Sequence, residues 1–182
     1  VGNEIRNAHK EEIAEIMDLI ARCVQVMQDG GSDQWDALYP SKEIISLDIE
    51  RGTLFVCEDN NAVAGIIVLD ENQAEEYKSI QWVQNEGPHL IMHRLAVDPQ
   101  VQGKGIARRL IIFAENYAEH NGYKSIRLDT YNKNARALGL YSRLGYDRRG
   151  EVNFPDRAAS FPVFEKVLNI ANGQEPASNE VG

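Results

Sequence analysis

Cysteine is scarce in this chain: two in 182 residues, Cys23 inside a helical pattern and Cys57 inside a strand pattern, with no C-x-x-C pair. A disulfide framework or a thiolate metal site needs more than that, so buried reduced thiols are expected, as in a cytoplasmic protein, with no metal. Long apolar runs are missing as well. No stretch approaches the roughly 20 residues of a membrane span, and the N-terminal VGNEIRNAHKEE has none of the apolar core of a secretory leader, so no membrane partner is expected. The initiator methionine is absent, which suggests a trimmed or partial chain. Positive charge is in deficit, 19 lysines and arginines against 28 acidic residues for a net charge of -9. That balance argues against a phosphate-backbone binder, hence against a nucleic-acid partner, and mildly favours small cationic ones. Internal repeats are absent too.

What is present reads as one domain over 1–168, followed by a small, polar and flexible tail, NIANGQEPASNEVG, over 169–182. Ile13, Ile16, Met17, Ile20, Val24 and Met27 form the stripe of a first helix that stops at Gly30-Gly31. Ser41 can cap a second helix over KEIISLDIERG. TLFVCE and AVAGIIVLD flank Asp59-Asn60-Asn61 as an antiparallel hairpin, and HLIMHRLAV is the next strand. A third helix spans about Gly105 to Asn121, KSIRLDT is a strand, and a short helix runs from near Asn134 to Leu144. Gly139 inside it predicts close approach of another group, since glycine costs about 1 kcal/mol there against alanine. FPVFEKVL is a last strand in which Pro162 argues for an edge or a bulge. The sum is a mixed α/β sandwich with helices on the faces of a sheet.

RLAVDPQVQGKGIARRL, Arg94 to Leu110, runs an apolar strand through two glycines into a basic helix, an arrangement that offers backbone N–H groups to an anion. A P-loop fits poorly, because Lys104 is followed by Gly105 and no hydroxyl stands ready for magnesium. A dinucleotide fingerprint fits poorly too, because Arg108 stands where its third small residue belongs. Gln102-x-x-Gly105-x-Ala107, after LAVDP, resembles the acyl-coenzyme A loop of the GNAT superfamily of N-acetyltransferases. Downstream, NARALGLYSRLGY, Asn134 to Tyr146, resembles that family's Asn-x-x-Ala-x-x-Leu-Tyr-x-x-x-Gly-Phe/Tyr helix.

The resemblance implies a mostly antiparallel mixed sheet flanked by helices on both faces, in the order β-α-α-β-β-β-α-β-α-β, and acetyl-CoA as cosubstrate. It implies that the backbone of Leu95, Ala96 and Val97 faces the acetyl and pantetheine part, and that Gln102, Gly103, Lys104, Gly105, Ile106 and Ala107 surround the diphosphate, with Arg108 adding charge. It also implies that Asn134 bonds the pantetheine arm and that Tyr141 points its hydroxyl at the sulfur as general acid. The acceptor would be a small-molecule or peptide amine, attacking directly in a ternary complex; a homodimer is left open. A binding module that keeps the cleft without turnover is the rival reading.

Acyl transfer to an amine needs a proton acceptor, because freeing the lone pair of an ammonium of pKa about 10.4 near neutral pH costs about 4.6 kcal/mol. His93 is the candidate, two residues before Leu95 and so expected on the same face as Leu95 and Val97. Its position resembles the catalytic histidine of the arylalkylamine branch, whereas other branches carry a glutamate where this chain has Ile91. His89 and Glu86 could serve through water. Trp35, Tyr39, Asp36 and Trp82 could form an aromatic, acidic acceptor pocket, although core plugs and solvated acids account for them more simply. Asp129 and Tyr131 could border the cleft.

Overall fold

In the computed structural model, which describes residues 4–168, Asn60 and Asn61 both take positive φ, 54° and 62°. That is the backbone a two-residue turn between twisted strands requires, and it joins β2 (Leu54–Asp59) to β3 (Ala62–Asp70) as the expected hairpin. The other strands are β1 (Ile5–Asn7), β4 (His89–Val97), β5 (Ser125–Asp129), β6 (Asp147–Val152) and β7 (Phe161–Val167). They form one seven-stranded sheet in the order β1-β2-β3-β4-β5-β7-β6, antiparallel except for the β4–β5 pair. The expected order lacks β6. It is an edge strand whose residues lie mostly at the surface, so DRRGEV carries no apolar alternation to mark it.

Helix α1 (Ile13–Asp29) buries Ile16, Leu19, Ile20, Cys23 and Val24. Helix α2 (Lys42–Glu50) starts at Ser41, whose Oγ accepts the Ile44 N–H at 3.3 Å. Both pack with Val56, Ile66, Val68 and Ala96 on one face of the sheet. Helices α3 (Ile106–His120) and α4 (Ala135–Arg143) cover the other face, over Ile67, Leu90, Met92, Leu128 and Phe164. Each fully buried Leu or Ile contributes roughly 1.5 to 3 kcal/mol, so the two layers are held mainly by apolar burial. Gly65 on β3 sets how closely α3 lies: a Cβ there would come within 2.9 Å of Ile106 and 3.0 Å of Leu110.

Two expectations are corrected. Pro162 sits in β7, between β5 and β6, so the edge alternative is overturned, whereas the bulge alternative has a counterpart in β6, whose register shifts between Arg148 and Gly150 opposite Phe164 and Val163. The Pro162 carbonyl still accepts the Thr130 N–H at 3.1 Å, and Asn132 N–H to the Ser160 carbonyl at 3.0 Å carries the pairing on, so the proline costs the ladder only its own N–H. Gly139 meets no other element among the described residues; a Cβ there would touch only the flexible guanidinium of Arg143, at 3.0 Å. The tail expected over 169–182 lies outside the described residues. Among the described residues no helix is long and apolar enough to cross a membrane.

Candidate active site

The sheet opens in its middle. β4 and β5 pair only over residues 89–91 and 125–127; beyond Ile91 and Arg127 the two strands part, β4 running to the loop before α3 and β5 to the turn before α4. A cleft of about 1170 Å³ lies in that fork. Its walls include Leu95, Ala96 and Val97, the loop residues Gln102, Gly103 and Gly105, then Ile106 and Ala107, and on the far side Asn134 and Tyr141. The residues expected at a cofactor and at its sulfur therefore share one cavity, with one exception. Lys104 turns away and pairs with Asp59 at 2.7 Å.

The glycine loop is shaped for backbone donors. Gly103 and Gly105 take φ of 89° and 76°, a region L side chains rarely adopt, and α3 has no side-chain N-cap, whereas α2 and α4 are capped by Ser41 and Asn134. A helix of 15 residues thus presents its first N–H groups and the positive end of its dipole to the cleft. The turn ahead of it is fixed by Asp98, which accepts the Gln100 N–H at 2.9 Å and pairs with Arg22 at 2.6 Å.

β4 carries a bulge. Ile66 pairs with Ala96 and Val68 with His93, so Arg94 and Leu95 together oppose Ile67, and Arg94 takes φ of 48°. Leu95 and Val97 consequently pack toward α3 with Met92, while His93 stands opposite Val68 on the α1–α2 side. The expected common face for His93, Leu95 and Val97 is wrong: one extra residue reverses the alternation between them. His93 still lines the cleft, and its Nε2 lies 2.9 Å from Asp70 Oδ1. Burial pushes the Asp70 carboxyl up, but the hydrogen bond and charge of His93 and the bonds from Asn72 outweigh it, and the net shift is downward.

Tyr141 is buried against Tyr146 and Phe164, with ring centroids 5.8 and 5.9 Å away, and borders the cleft. Burial and then the nearby Asp129 carboxylate hold its phenol above the usual range, so it keeps its proton at neutral pH. Asp129 lines the cleft at the end of β5; burial raises its carboxyl, against the pull of the Tyr77 hydroxyl, which donates to Oδ2 at 2.6 Å. Asn134 spends its side-chain oxygen on the Ala137 N–H at 3.1 Å and one amide N–H on a long bond to Gln34 Oε1 at 3.5 Å, leaving the second amide N–H as its share for a ligand.

Residues 13–146 match the family described as Acetyltransferase (GNAT). The chain belongs to this acetyltransferase family. The uncharacterized N-acetyltransferase YesJ of Bacillus subtilis is 27% identical over 160 residues, covering 87% of this chain and 86% of that protein. The uncharacterized N-acetyltransferase MJ1207 of Methanocaldococcus jannaschii is 28% identical over 81% of this chain, which spans only 62% of that longer protein. Among solved structures, a GNAT-family acetyltransferase of Streptococcus agalactiae superposes with a TM-score of 0.80 at 27% identity, covering 92% of this chain and 96% of that one. The Salmonella typhimurium protein yncA, solved with acetyl-CoA, has a TM-score of 0.69 at 17% identity over 98% and 99% of the two chains, a likeness of fold.

On this GNAT framework the remaining expectations divide. Trp35 and Tyr39 line the cleft, but Asp36 serves its own turn, accepting the Leu38 and Tyr39 N–H groups at 2.8 Å each, and Trp82 lies beneath Arg127 at 4.0 Å, away from the cavity. Tyr131 is fully buried and bonds Asp33, so only Asp129 of that pair borders the cleft. His89 binds Ser125 Oγ at 2.9 Å at the closed end of the fork, and neither it nor Glu86 lines the cavity. Sequence reasoning missed Tyr77, Arg94, Arg136 and Arg143, all cleft-lining. Arg136 and Arg143 stood inside the quoted helix motif, where one helical face could have shown them; the other two carried no signal.

Proposed function

We propose that the chain transfers the acetyl group of acetyl-CoA to a primary amine by direct attack within a ternary complex. The observation that carries this is the fork between β4 and β5, with the uncapped, glycine-led start of α3 on one wall and the protonated Tyr141 on the other. Arg108, Arg136 and Arg143 line the same cleft and supply the positive charge that Lys104, held by Asp59, does not.

The thioester supplies an activated acyl carbon. His93, paired with Asp70, takes a proton from the incoming ammonium; the amine nitrogen then forms the C–N bond and the C–S bond breaks. Tyr141 gives its proton to the leaving sulfur and is reprotonated from the amine as it becomes an amide, so one proton is released per turnover. A covalent acetyl-enzyme has no support from Cys23, the cysteine bordering the cleft. Burial pushes its thiol up to about 12, and it donates to the Val97 carbonyl at 3.4 Å.

Thiol release and acetyl-product mass measured over an amine panel test the proposal. Turnover with any amine supports it; a thermal shift with coenzyme A and no turnover across the panel would make the chain a binding module.

A further inference from the structure

The cleft's charge does not match the chain's. Against a net charge of -9, the charged side chains that line the cavity among the described residues are Arg94, Arg108, Lys133, Arg136, Arg143 and Arg157, with one carboxylate, Asp129. Arg108 and Arg136 lie at the glycine loop, Arg136 reaching Gln102 at 2.6 Å, and Arg143 is on the same helix as Arg136. Arg157 is occupied by Asp36 at 3.0 Å and by the Asp156 carbonyl. Arg94 differs from these. It is the bulge residue of β4, turned to the α2 side away from Leu95 and Val97, and its guanidinium lies 5.9 Å from the Tyr39 ring centroid.

Arg94 is also underused. Its side chain is 15% exposed, its Nε has no hydrogen-bond partner among the described residues, and its approach to Asp48 is a charge contact at 3.3 Å in which Asp48 Oδ2 receives no hydrogen bond. The guanidinium borders the cleft with one charge contact and no hydrogen bond among the described residues, and a carboxylate matches its planar fork. Positive φ at a non-glycine residue adds backbone strain of the kind that gathers at binding sites. Next to Arg94 in sequence is His93, and across the cleft stands Asp129, a carboxylate suited to an ammonium.

Resting on the acetyltransferase reading above, we propose that Arg94 binds a carboxylate of the acceptor, so that the amine acetylated belongs to a molecule of amino-acid type. The ammonium faces His93 and Asp129, and the carboxylate faces Arg94. A purely cationic amine, which the net charge alone favours, would give Arg94 no partner beyond Asp48 and the Tyr39 ring.

The test compares kcat/KM for free α-amino acids with that for their carboxamides. The wild-type chain is expected to favour the acid by about 10- to 100-fold, carried mainly by KM, the size of a lost charge-assisted hydrogen bond. In the double variant Arg94→Met/Asp48→Asn, which leaves neither charge buried alone, the preference is expected to vanish. Equal rates for acid and amide in the wild type, or an undiminished preference in the double variant, would overturn the carboxylate site and leave the acetyltransferase reading standing. If no amine of any kind is acetylated, the acetyltransferase reading falls and the site with it.

Discussion

His93 and Asp70 meet across neighbouring strands, Nε2 to Oδ1 at 2.9 Å, and that contact determines which ring nitrogen can work. An ionised carboxylate only accepts, so Nε2 carries the hydrogen and Nδ1 is left to take a proton. Asp70 is ionised at neutral pH because its carboxyl is held below the usual range.

His93→Gln is expected to lower kcat by about 100-fold or more, and Asp70→Asn by less, because asparagine still touches the ring but no longer fixes its tautomer. Steady-state kinetics at saturating acetyl-CoA check both; unchanged kcat in His93→Gln would remove His93 as the base.

Asp70 also makes a pH prediction for stability. A carboxyl whose folded pKa lies below its unfolded value, about 3.9, stabilises the fold above that value and loses the contribution as pH falls through the folded one. The stability gap between wild type and Asp70→Asn in urea melts is therefore expected to be constant near neutrality and to close below about pH 4. A gap that widens on acidification would reverse the assigned direction.

Tyr141→Phe removes the proton offered to the leaving sulfur and is expected to lower kcat by about 100-fold while coenzyme A binding holds. Since burial and Asp129 both push the phenol up, the wild-type profile should show no alkaline fall from this group below about pH 10. Unchanged turnover in the variant would assign Tyr141 to the core alone.

The two GNAT motifs were legible because their signals are local. Asn134 caps its own helix through Ala137, the glycines before α3 adopt positive φ within their own loop, and Asn60-Asn61 turn their own hairpin. The side of β4 on which His93 stands was not. It depends on one inserted residue, Arg94, whose presence shows only in the pairing with β3, and pleat counting across it gives the wrong face. For the same reason Arg94 passed unnoticed as a cleft residue. β6 was missed because an exposed edge strand needs no apolar period.

Two glycines should respond in opposite directions. Gly65→Ala drives a methyl into Ile106, Leu110 and the Ala96 carbonyl, and is expected to cost about 1 to 3 kcal/mol and to disturb the start of α3. Gly139→Ala meets only the movable end of Arg143 and is expected to stabilise the chain by up to about 1 kcal/mol. Thermal melts of the pair check the signs; stabilisation by Gly65→Ala would mean that α3 does not lie on β3 as described.

Asn134 holds two tasks that a pair of substitutions can separate. Its oxygen caps α4, and its amide N–H groups, 3.5 Å from Gln34 Oε1, face the cleft. Asn134→Ala removes both and should cost about 1 kcal/mol of stability as well as cofactor affinity. Asn134→Ser restores a cap of similar strength but shortens the side chain and deletes the amide donors. Stability near wild type with a raised KM for acetyl-CoA is therefore expected for serine, measured by thermal melt and steady-state kinetics on the same preparation. A wild-type KM in the serine variant would confine Asn134 to capping and shift the hydrogen bonding of the pantetheine arm to the backbone of β4.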